Sequence, residues 1–311
     1  ESADWSALTK RGEVVFFDRA FADVNDAAGA LADFDILIAM RERTAFPGTL
    51  IARLPKLRMI ALTGARSWTM DIDACSERGV LVCNTGGMAA SAATAELALG
   101  LLLAAARAIP AADASMRAGR FQQGVPAGIA LEGRTLGIVG LGKIGSRMAR
   151  FGLALGMRVL AWSTNLTAET AQAAGATLTG KAALLAESDA VSLHLVLSDR
   201  TRGIIGKNDL ARMKPDAILV NTSRGPLVDE AALVEQLRSG RLVAALDVFD
   251  REPLPADHPL RALPNVVLAP HQGYCTREVY AQFYRESIEN VLAFLDGAPI
   301  RAINPEAVRA S

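Results

Sequence analysis

An α/β fold built on a parallel, doubly wound sheet is predicted by three features of this chain. Short aliphatic runs alternate with helix-forming segments along its length, 51% of its 311 residues are hydrophobic while only 5% are aromatic, and a strand-like run turns through three glycines directly into a helix at residues 136–147, LGIVGLGKIGSR. Alternation on this scale makes successive strands parallel neighbours joined by helical crossovers. A core that must be filled by Val, Ile, Leu and Ala suits strands buried on both faces.

The elements follow in order. Strand-like runs at residues 14–17, 36–39, 57–62 and 80–83, with helical or turn segments between them, form a first α/β unit. A long Ala/Leu helix at 90–106 comes next, and 131–137 leads into the glycine turn. Beyond the turn, strands at 158–162, 190–195, 217–221, 243–246 and 266–269 alternate with helices such as 181–187 and 230–238. A final helix at 277–295 precedes a tail, GAPIRAINPEAVRAS, which is too short to fold alone and is expected to pack back on the first unit. A glycine turn of this kind normally follows a domain's own first strand, yet residues 1–135 precede this one, so an upstream domain is required. The predicted arrangement is discontinuous, with residues 1–90 and 283–311 in one domain, 91–282 in the other, and two long helices as the hinge.

Leu136, Ile138 and Val139 suit a strand buried on both faces, and Gly140, Gly142 and Gly145 keep the GxGxxG spacing. The first glycine permits the tight turn, the second lets backbone approach a pyrophosphate, and the third lets the helix pack closely on the strand. The N–H groups that open the helix, from Lys143 and Ile144 onward, then face the phosphates. The strand before and the helical run 143–155 after make this a dinucleotide site rather than an unrelated glycine-rich turn. Where NAD is preferred, an acidic residue about 20 positions past the glycines holds the ribose hydroxyls. That place reads AWSTN, with Ser163 followed by Thr164 and Asn165, so no charge repels a 2′-phosphate and no Arg or Lys follows closely to pair with one. NAD and NADP both stay open, and NADP is slightly favoured because Ser163 replaces the usual acid.

Composition excludes several classes. Lys plus Arg equals Asp plus Glu at 33 each with no basic run, which removes the electrostatic footprint of a nucleic-acid binder. Cys75, Cys83 and Cys275 are odd in number and form no CxxC pair, so neither a disulfide framework nor a zinc site is suggested and a reducing cytoplasm fits. No metal cluster is evident. The longest strongly apolar stretch, 97–106, is bracketed by Glu96 and Arg107. It falls short of the about 18 to 20 residues that span a bilayer, so no membrane association is expected.

Histidine is confined to His194, His258 and His271, which shortens the search for a group titrating near neutral pH. His271, in VVLAPHQGY, follows a strand-like run and so sits at a strand's carboxyl end, where α/β sheets place their sites. His194, in DAVSLHLVLS, fits a packed or cofactor-contacting residue, and His258, in PLPADHPL, a solvated loop. Two further segments end strands with charge: LVNTSRGPLVDE carries Arg224 and ALDVFDREPLP carries Glu252. A planar two-pronged guanidinium suits a carboxylate next to a carbonyl. A carboxylate at Glu252 would orient an imidazole and favour its protonated form. On residue type alone, Arg224 also fits a surface ion pair, and Asp247 and Asp250 stand close enough to Glu252 to share its part.

GLGKIG, NTSRGPLVDEAAL, DVFDREPLP and PHQGY occur in this order, and on them the sequence resembles, over nearly its whole length, the D-isomer-specific 2-hydroxyacid dehydrogenase family. The resemblance implies a Rossmann domain inserted in a smaller flavodoxin-like substrate domain, and a homodimer formed through the cofactor domain. It implies hydride transfer between a nicotinamide cofactor, NAD or NADP, and a small 2-oxo acid or D-2-hydroxy acid. By position it makes Arg224 the group that binds and polarises the 2-oxo acid, His271 the proton donor or acceptor, and Glu252 the partner of His271. Asp247 would contact the nicotinamide amide, Thr94 would line its ring, and Asn221 and Thr222 would touch the cofactor through their backbone. The substrate carboxylate would meet backbone N–H groups around Gly64, Ala65 and Arg66, with Trp68 and either Arg41 or Arg43 available to shape the pocket. Family members open with a strand that this chain, starting at Glu1, lacks, so an N-terminal stretch is expected ahead of it. The competing reading is a dinucleotide-sensing binding protein of the same fold with vestigial catalysis, which would not need Arg224, Glu252 and His271 together. Which 2-oxo acid is used rests on the pocket shape set by a few loop side chains.

Overall fold

The structure, a computed structural model, describes residues 3–40, 43–65, 67–86 and 88–308. It divides into two compact units, Glu1–Ala89 with Cys275–Ser311, and Ala90–Tyr274.

The smaller unit holds a parallel sheet of β1 (Ile36–Ala39), β2 (Met59–Leu62) and β3 (Leu81–Asn84), in that spatial order. Every side chain of β2 is buried, as a central strand covered on both faces requires. The helix Arg277–Leu295 lays Ile288 and Val291 into a cluster with Met59, Ala61, Leu81 and Cys83. It therefore belongs whole to this unit, and the return crossing falls at 274/275 rather than at the expected 282/283. The tail closes the outer edge of β3. Asn84 donates its N–H to the Arg301 carbonyl at 3.0 Å, Ile303 donates to the Val82 carbonyl at 2.7 Å, and the Asn304 side chain accepts the Val82 N–H at 2.7 Å.

The strand expected at 14–17 is not formed. Val15, Phe16 and Phe17 are 44%, 65% and 42% exposed, Phe16 stands edge-on to Trp5, and Phe17 packs on Phe21 and Phe34. Val and Phe favour a pleated, half-buried surface only where a neighbouring ladder exists, and here ring contacts take its place.

In the larger unit seven parallel strands, β4 (Thr135–Val139), β5 (Arg158–Trp162), β6 (Thr177–Leu178), β7 (Ala190–Leu193), β8 (Ala217–Asn221), β9 (Leu242–Leu246) and β10 (Val266–Leu268), lie in the order β10-β9-β8-β7-β4-β5-β6. The order reverses between β4 and β7, which makes the switch point of a doubly wound sheet. Along β8, Ala217 and Leu219 enter one core cluster while Ile218 and Val220 enter the other, so helices cover both faces. Trp162, Val139, Leu193, Asn221, Leu246 and Leu268 lie in register across the sheet. Whatever follows these six residues in the chain emerges along a single edge.

The helix Met88–Ala106 carries an 18-residue window long and apolar enough, by length and composition, to cross a membrane. A third of that window is buried, with Ala98 and Leu102 fully so in the core beneath β4.

Candidate active site

At that edge β4 ends in the glycine turn. Gly140 takes a φ of 98°, and Gly145 sits so close to the Gly140 carbonyl oxygen that a methyl group there would overlap it. Gly142 caps the helix Lys143–Ala154 without any side-chain hydrogen bond, and nothing lies within 4 Å of where its Cβ would be. An uncapped helix N-terminus beneath open space offers N–H donors to an anion. Lys143 is exposed and Ile144 half-buried in this first turn. Two buried polar atoms that follow β7 and β8 along the same edge make no hydrogen bond, Nδ1 of His194 and the hydroxyl of Thr222. Open backbone, free helix donors and orphaned polar atoms together fit a dinucleotide.

His194 follows β7, donates its N–H to the Val139 carbonyl, and bonds the Ser192 hydroxyl through Nε2 at 2.9 Å. Burial pushes its pKa from 6.5 down to about 4. The unfolded chain takes up this proton as pH falls below about 6.5, whereas the folded chain refuses it until about 4. The contribution is whole above pH 6.5 and is lost as pH falls toward 4, on the order of 3 kcal/mol. Urea unfolding of the wild type and His194→Gln at neutral and acid pH checks this, the variant being expected to lose less stability on acidification. An equal loss in both proteins rejects it.

Ser163 stands half-buried directly after β5 and Asn165 is exposed two residues on. After β8 the chain turns sharply. The Asn221 side chain donates to the Arg224 carbonyl at 2.9 Å and accepts the Ser223 N–H at 3.0 Å, while the Ser223 hydroxyl reaches the Leu193 carbonyl at 2.8 Å. Arg224 is half-buried, with Nη1 donating to the Ser223 carbonyl at 2.6 Å. The next residue, Gly225, lies against the Phe249–Asp250 peptide so tightly that a Cβ would overlap the Phe249 carbonyl and the Asp250 nitrogen. The Arg224 turn and the loop after β9 are thereby pressed together.

That loop carries Asp247 and Glu252. Nδ1 of His271 and Oε2 of Glu252 are 2.5 Å apart, and Oε1 of Glu252 accepts the Phe249 N–H at 3.0 Å. Burial by itself raises the Glu252 carboxyl, but the hydrogen bond and charge of His271, the Phe249 N–H and the charge of Arg224 outweigh it and hold the group below its ordinary value. Asp247 is 1% exposed. It takes the His271 N–H on its carbonyl at 2.8 Å and the Gln272 and Gly273 N–H groups on its two carboxylate oxygens at 2.8 and 2.9 Å. Burial raises its carboxyl despite those two donors. His271, at a φ of 51°, is held in a left-handed backbone conformation that non-glycine residues seldom adopt, and Asp247 supplies the bonds that hold it. Thr94 abuts Gly273, with its hydroxyl bonded to the Ala90 carbonyl at 2.7 Å.

Arg224, Glu252, His271, Asp247, Thr222, His194 and the glycine turn thus all belong to the larger unit. Gly64 and Ala65 follow β2 in the smaller one. The Gly64 N–H is already given to the Thr85 hydroxyl at 2.6 Å, so it is not the open donor expected from sequence, and the Ala65 carbonyl accepts the Asn84 side chain at 3.1 Å. Arg41 and Arg66 lie outside the described residues, and Trp68 is 53% exposed. His258, expected to be solvated, is instead enclosed, its side chain 16% exposed and its Nε2 3.0 Å from Glu230. A partner 28 residues away leaves no local signal. Asp247's grip on the His271 loop was missed for a related reason, because its acceptors meet backbone N–H groups that no side-chain pattern reveals.

A seven-stranded doubly wound sheet with an open glycine turn at its switch point, and a histidine–carboxylate pair along the same edge, defines a dinucleotide-binding enzyme fold. Residues 99–273 match the D-isomer specific 2-hydroxyacid dehydrogenase, NAD binding domain family. A glyoxylate reductase of Aeropyrum pernix is 43% identical over 269 residues, covering 84% of this chain and 80% of that protein. A D-3-phosphoglycerate dehydrogenase of Archaeoglobus fulgidus is 38% identical over 276 residues, 88% of this chain and 52% of that protein, so the chain spans about half the length of that relative. The crystal structure of a phosphoglycerate oxidoreductase from Vibrio cholerae superimposes with a TM-score of 0.89 at 40% identity, covering 94% of each chain. The chain belongs to the D-isomer-specific 2-hydroxyacid dehydrogenase family.

Proposed function

We propose that this chain moves a hydride between a nicotinamide cofactor and C2 of a small 2-oxo acid or D-2-hydroxy acid, with Arg224, Glu252 and His271 acting on the substrate. The observation that carries this is the 2.5 Å contact between His271 and Glu252 beside the Arg224 turn. When bound, the nicotinamide supplies or accepts the hydride. The rest falls to side chains. Glu252, kept ionised by its neighbours, engages Nδ1 of His271 and leaves Nε2 to give or take the proton of the substrate oxygen. Arg224 presents planar donors to the carboxylate and the adjacent carbonyl, polarising the latter. Asp247 keeps His271 in place. The Thr222 hydroxyl and His194 Nδ1, unpartnered in the chain, are proposed cofactor contacts, as are the Gly140–Gly145 backbone and Thr94. Asn221 has its side chain committed to the Arg224 turn and contributes by shaping it.

NADP is proposed as the slightly preferred dinucleotide, because Ser163 carries no charge to repel a 2′-phosphate. Steady-state rates with NADH and NADPH on glyoxylate, hydroxypyruvate and bulkier 2-oxo acids test both statements. Turnover on none of them rejects the enzyme reading, and an about tenfold or greater preference for NAD, a clear free-energy difference, rejects the cofactor reading.

A homodimer through the larger unit is also proposed. The helix Ile109–Arg117 exposes Ile109 and Met116, seven residues apart on one face, and Phe121 just beyond it is 75% exposed. An apolar surface of this kind is suited to burial against a second copy. Sedimentation is expected to give twice the chain mass, and a monomer at micromolar concentration rejects the dimer. A reducing cytoplasm is the proposed location, consistent with free Cys75 and Cys83, whose thiols burial pushes up to about 12 and about 11.

A further inference from the structure

The larger unit holds a second histidine–carboxylate pair besides His271–Glu252, and it is joined to the same loop. Glu230 opens the helix Glu230–Arg238, whose N-cap is Asp229. Its Oε1 meets Nε2 of His258 at 3.0 Å, and its Oε2 accepts the Asp250 N–H at 3.3 Å. Nδ1 of His258 accepts the Leu260 N–H at 3.3 Å, which assigns the ring proton to Nε2 and makes His258 the donor to Glu230. Leu260 is 1% exposed, so the histidine is anchored to the core. One carboxylate thus bridges an anchored ring and the middle of the Asp247–Glu252 loop.

The loop is held from two other directions. Gly225 presses on the Phe249–Asp250 peptide, and the Phe249 N–H is bound by Glu252 itself. The Asp250 amide that Glu230 captures belongs to the same peptide that Gly225 touches. A shift of that peptide would move Phe249 and, through its N–H, the Glu252 carboxylate against His271. The titratable and charged groups around this junction are Glu230, Asp229, Arg202 and His258 near Asp250, and His271 and Arg224 near Glu252. Asp250 itself lies at the surface, whereas the His258 and Glu230 side chains are 16% and 24% exposed, so the ring–carboxylate bond is the sheltered part of the bridge.

We propose that Glu230, gripped by His258, is a positioning residue that sets the Glu252 carboxylate against His271. Neither residue touches the reacting atoms. The inference rests on the reading of Glu252 and His271 as the proton-transferring pair, and it adds the pair His258–Glu230 as the support that holds its geometry.

Glu230→Ala and Glu230→Gln, prepared beside His271→Ala, test it. Measured are kcat and KM for a 2-oxo acid, the solvent deuterium isotope effect on kcat, and NADH and NADPH affinity by fluorescence. In Glu230→Ala, kcat is expected to fall about tenfold or more and the isotope effect to rise, as a misplaced proton relay slows the proton step, while dinucleotide affinity stays within about twofold. Glu230→Gln can accept only one of the two N–H groups and turns its own amide N–H2 toward the other donor, so it is expected to lose turnover in the same direction as Glu230→Ala. Should the alanine variant fail to fold, His258→Asn, which releases Glu230 from its anchor, is expected to show the same pattern. Wild-type kcat in Glu230→Ala, an isotope effect that does not rise with the loss, or dinucleotide affinity lost in step with kcat each overturns the proposal. Loss of turnover in His271→Ala alongside any of these rejects the positioning role alone. Wild-type turnover in His271→Ala rejects the proton-relay reading and the positioning role together.

Discussion

Replacing His271 by Ala is expected to cut turnover by about 10² to 10⁴-fold while leaving dinucleotide binding in place. The magnitude is that of a lost general acid–base group. His271 is the histidine whose ring meets a carboxylate along the edge that carries the glycine turn, at 2.5 Å, and no nearby side chain of similar basicity takes over its proton. His194 is held neutral by burial, with its pKa near 4, and His258 is tied to Glu230. Binding should persist because the open space at Gly142 and the unbonded polar atoms of His194 and Thr222, the proposed dinucleotide contacts, do not depend on a hydrogen bond to His271. Single-turnover kinetics with a 2-oxo acid, run beside NADPH fluorescence titration, separate the two effects. Turnover within a few-fold of wild type would show that the proton comes from elsewhere.

Gly225→Ala is expected to destabilise the larger unit by about 3 kcal/mol and to depress activity as well. The added methyl would overlap the Phe249 carbonyl and the Asp250 nitrogen. Backbone on both sides leaves little room to relax, since Leu227 is fully buried two residues on and Phe249 is 7% exposed in the same core cluster. Overpacking against backbone costs more than against the end of a flexible side chain. Arg224 lies one residue before the clash and Glu252 three residues beyond Phe249, so relief by movement in either direction displaces a group proposed to act on the substrate. A lowered urea midpoint together with a reduced kcat/KM is the expected pair of results. Wild-type values for both would mean the two turns are not in contact.

Much of the fold was legible because its signals are local. Arg158–Trp162, Ala217–Asn221, Lys181–Glu187 and Arg277–Leu295 occupy the spans that residue pattern predicts, since each is long enough to show a period and is bounded by turn residues. The two-residue strand β6 was too short to show one. Residues 14–17 showed the pattern without becoming a strand, because strand formation needs a neighbour that composition does not supply. His258 looked solvated in a proline-rich segment, and only its distant partner Glu230 accounts for its enclosure.

The sequence by itself determined the alternation of strands and helices, the glycine spacing of the β4 turn, and the residue types at the strand ends, all properties of neighbours in the chain. The tertiary structure decided how those strand ends meet. Register across the sheet sets Leu193, Asn221, Leu246 and Leu268 side by side, and that alignment brings His271 to Glu252, Asp247 beneath the His271 loop, and Gly225 onto the Phe249–Asp250 peptide. Periodicity records which face of a strand is buried, whereas pairing between distant segments depends on how strands are ordered and aligned, which is fixed only when the whole sheet forms.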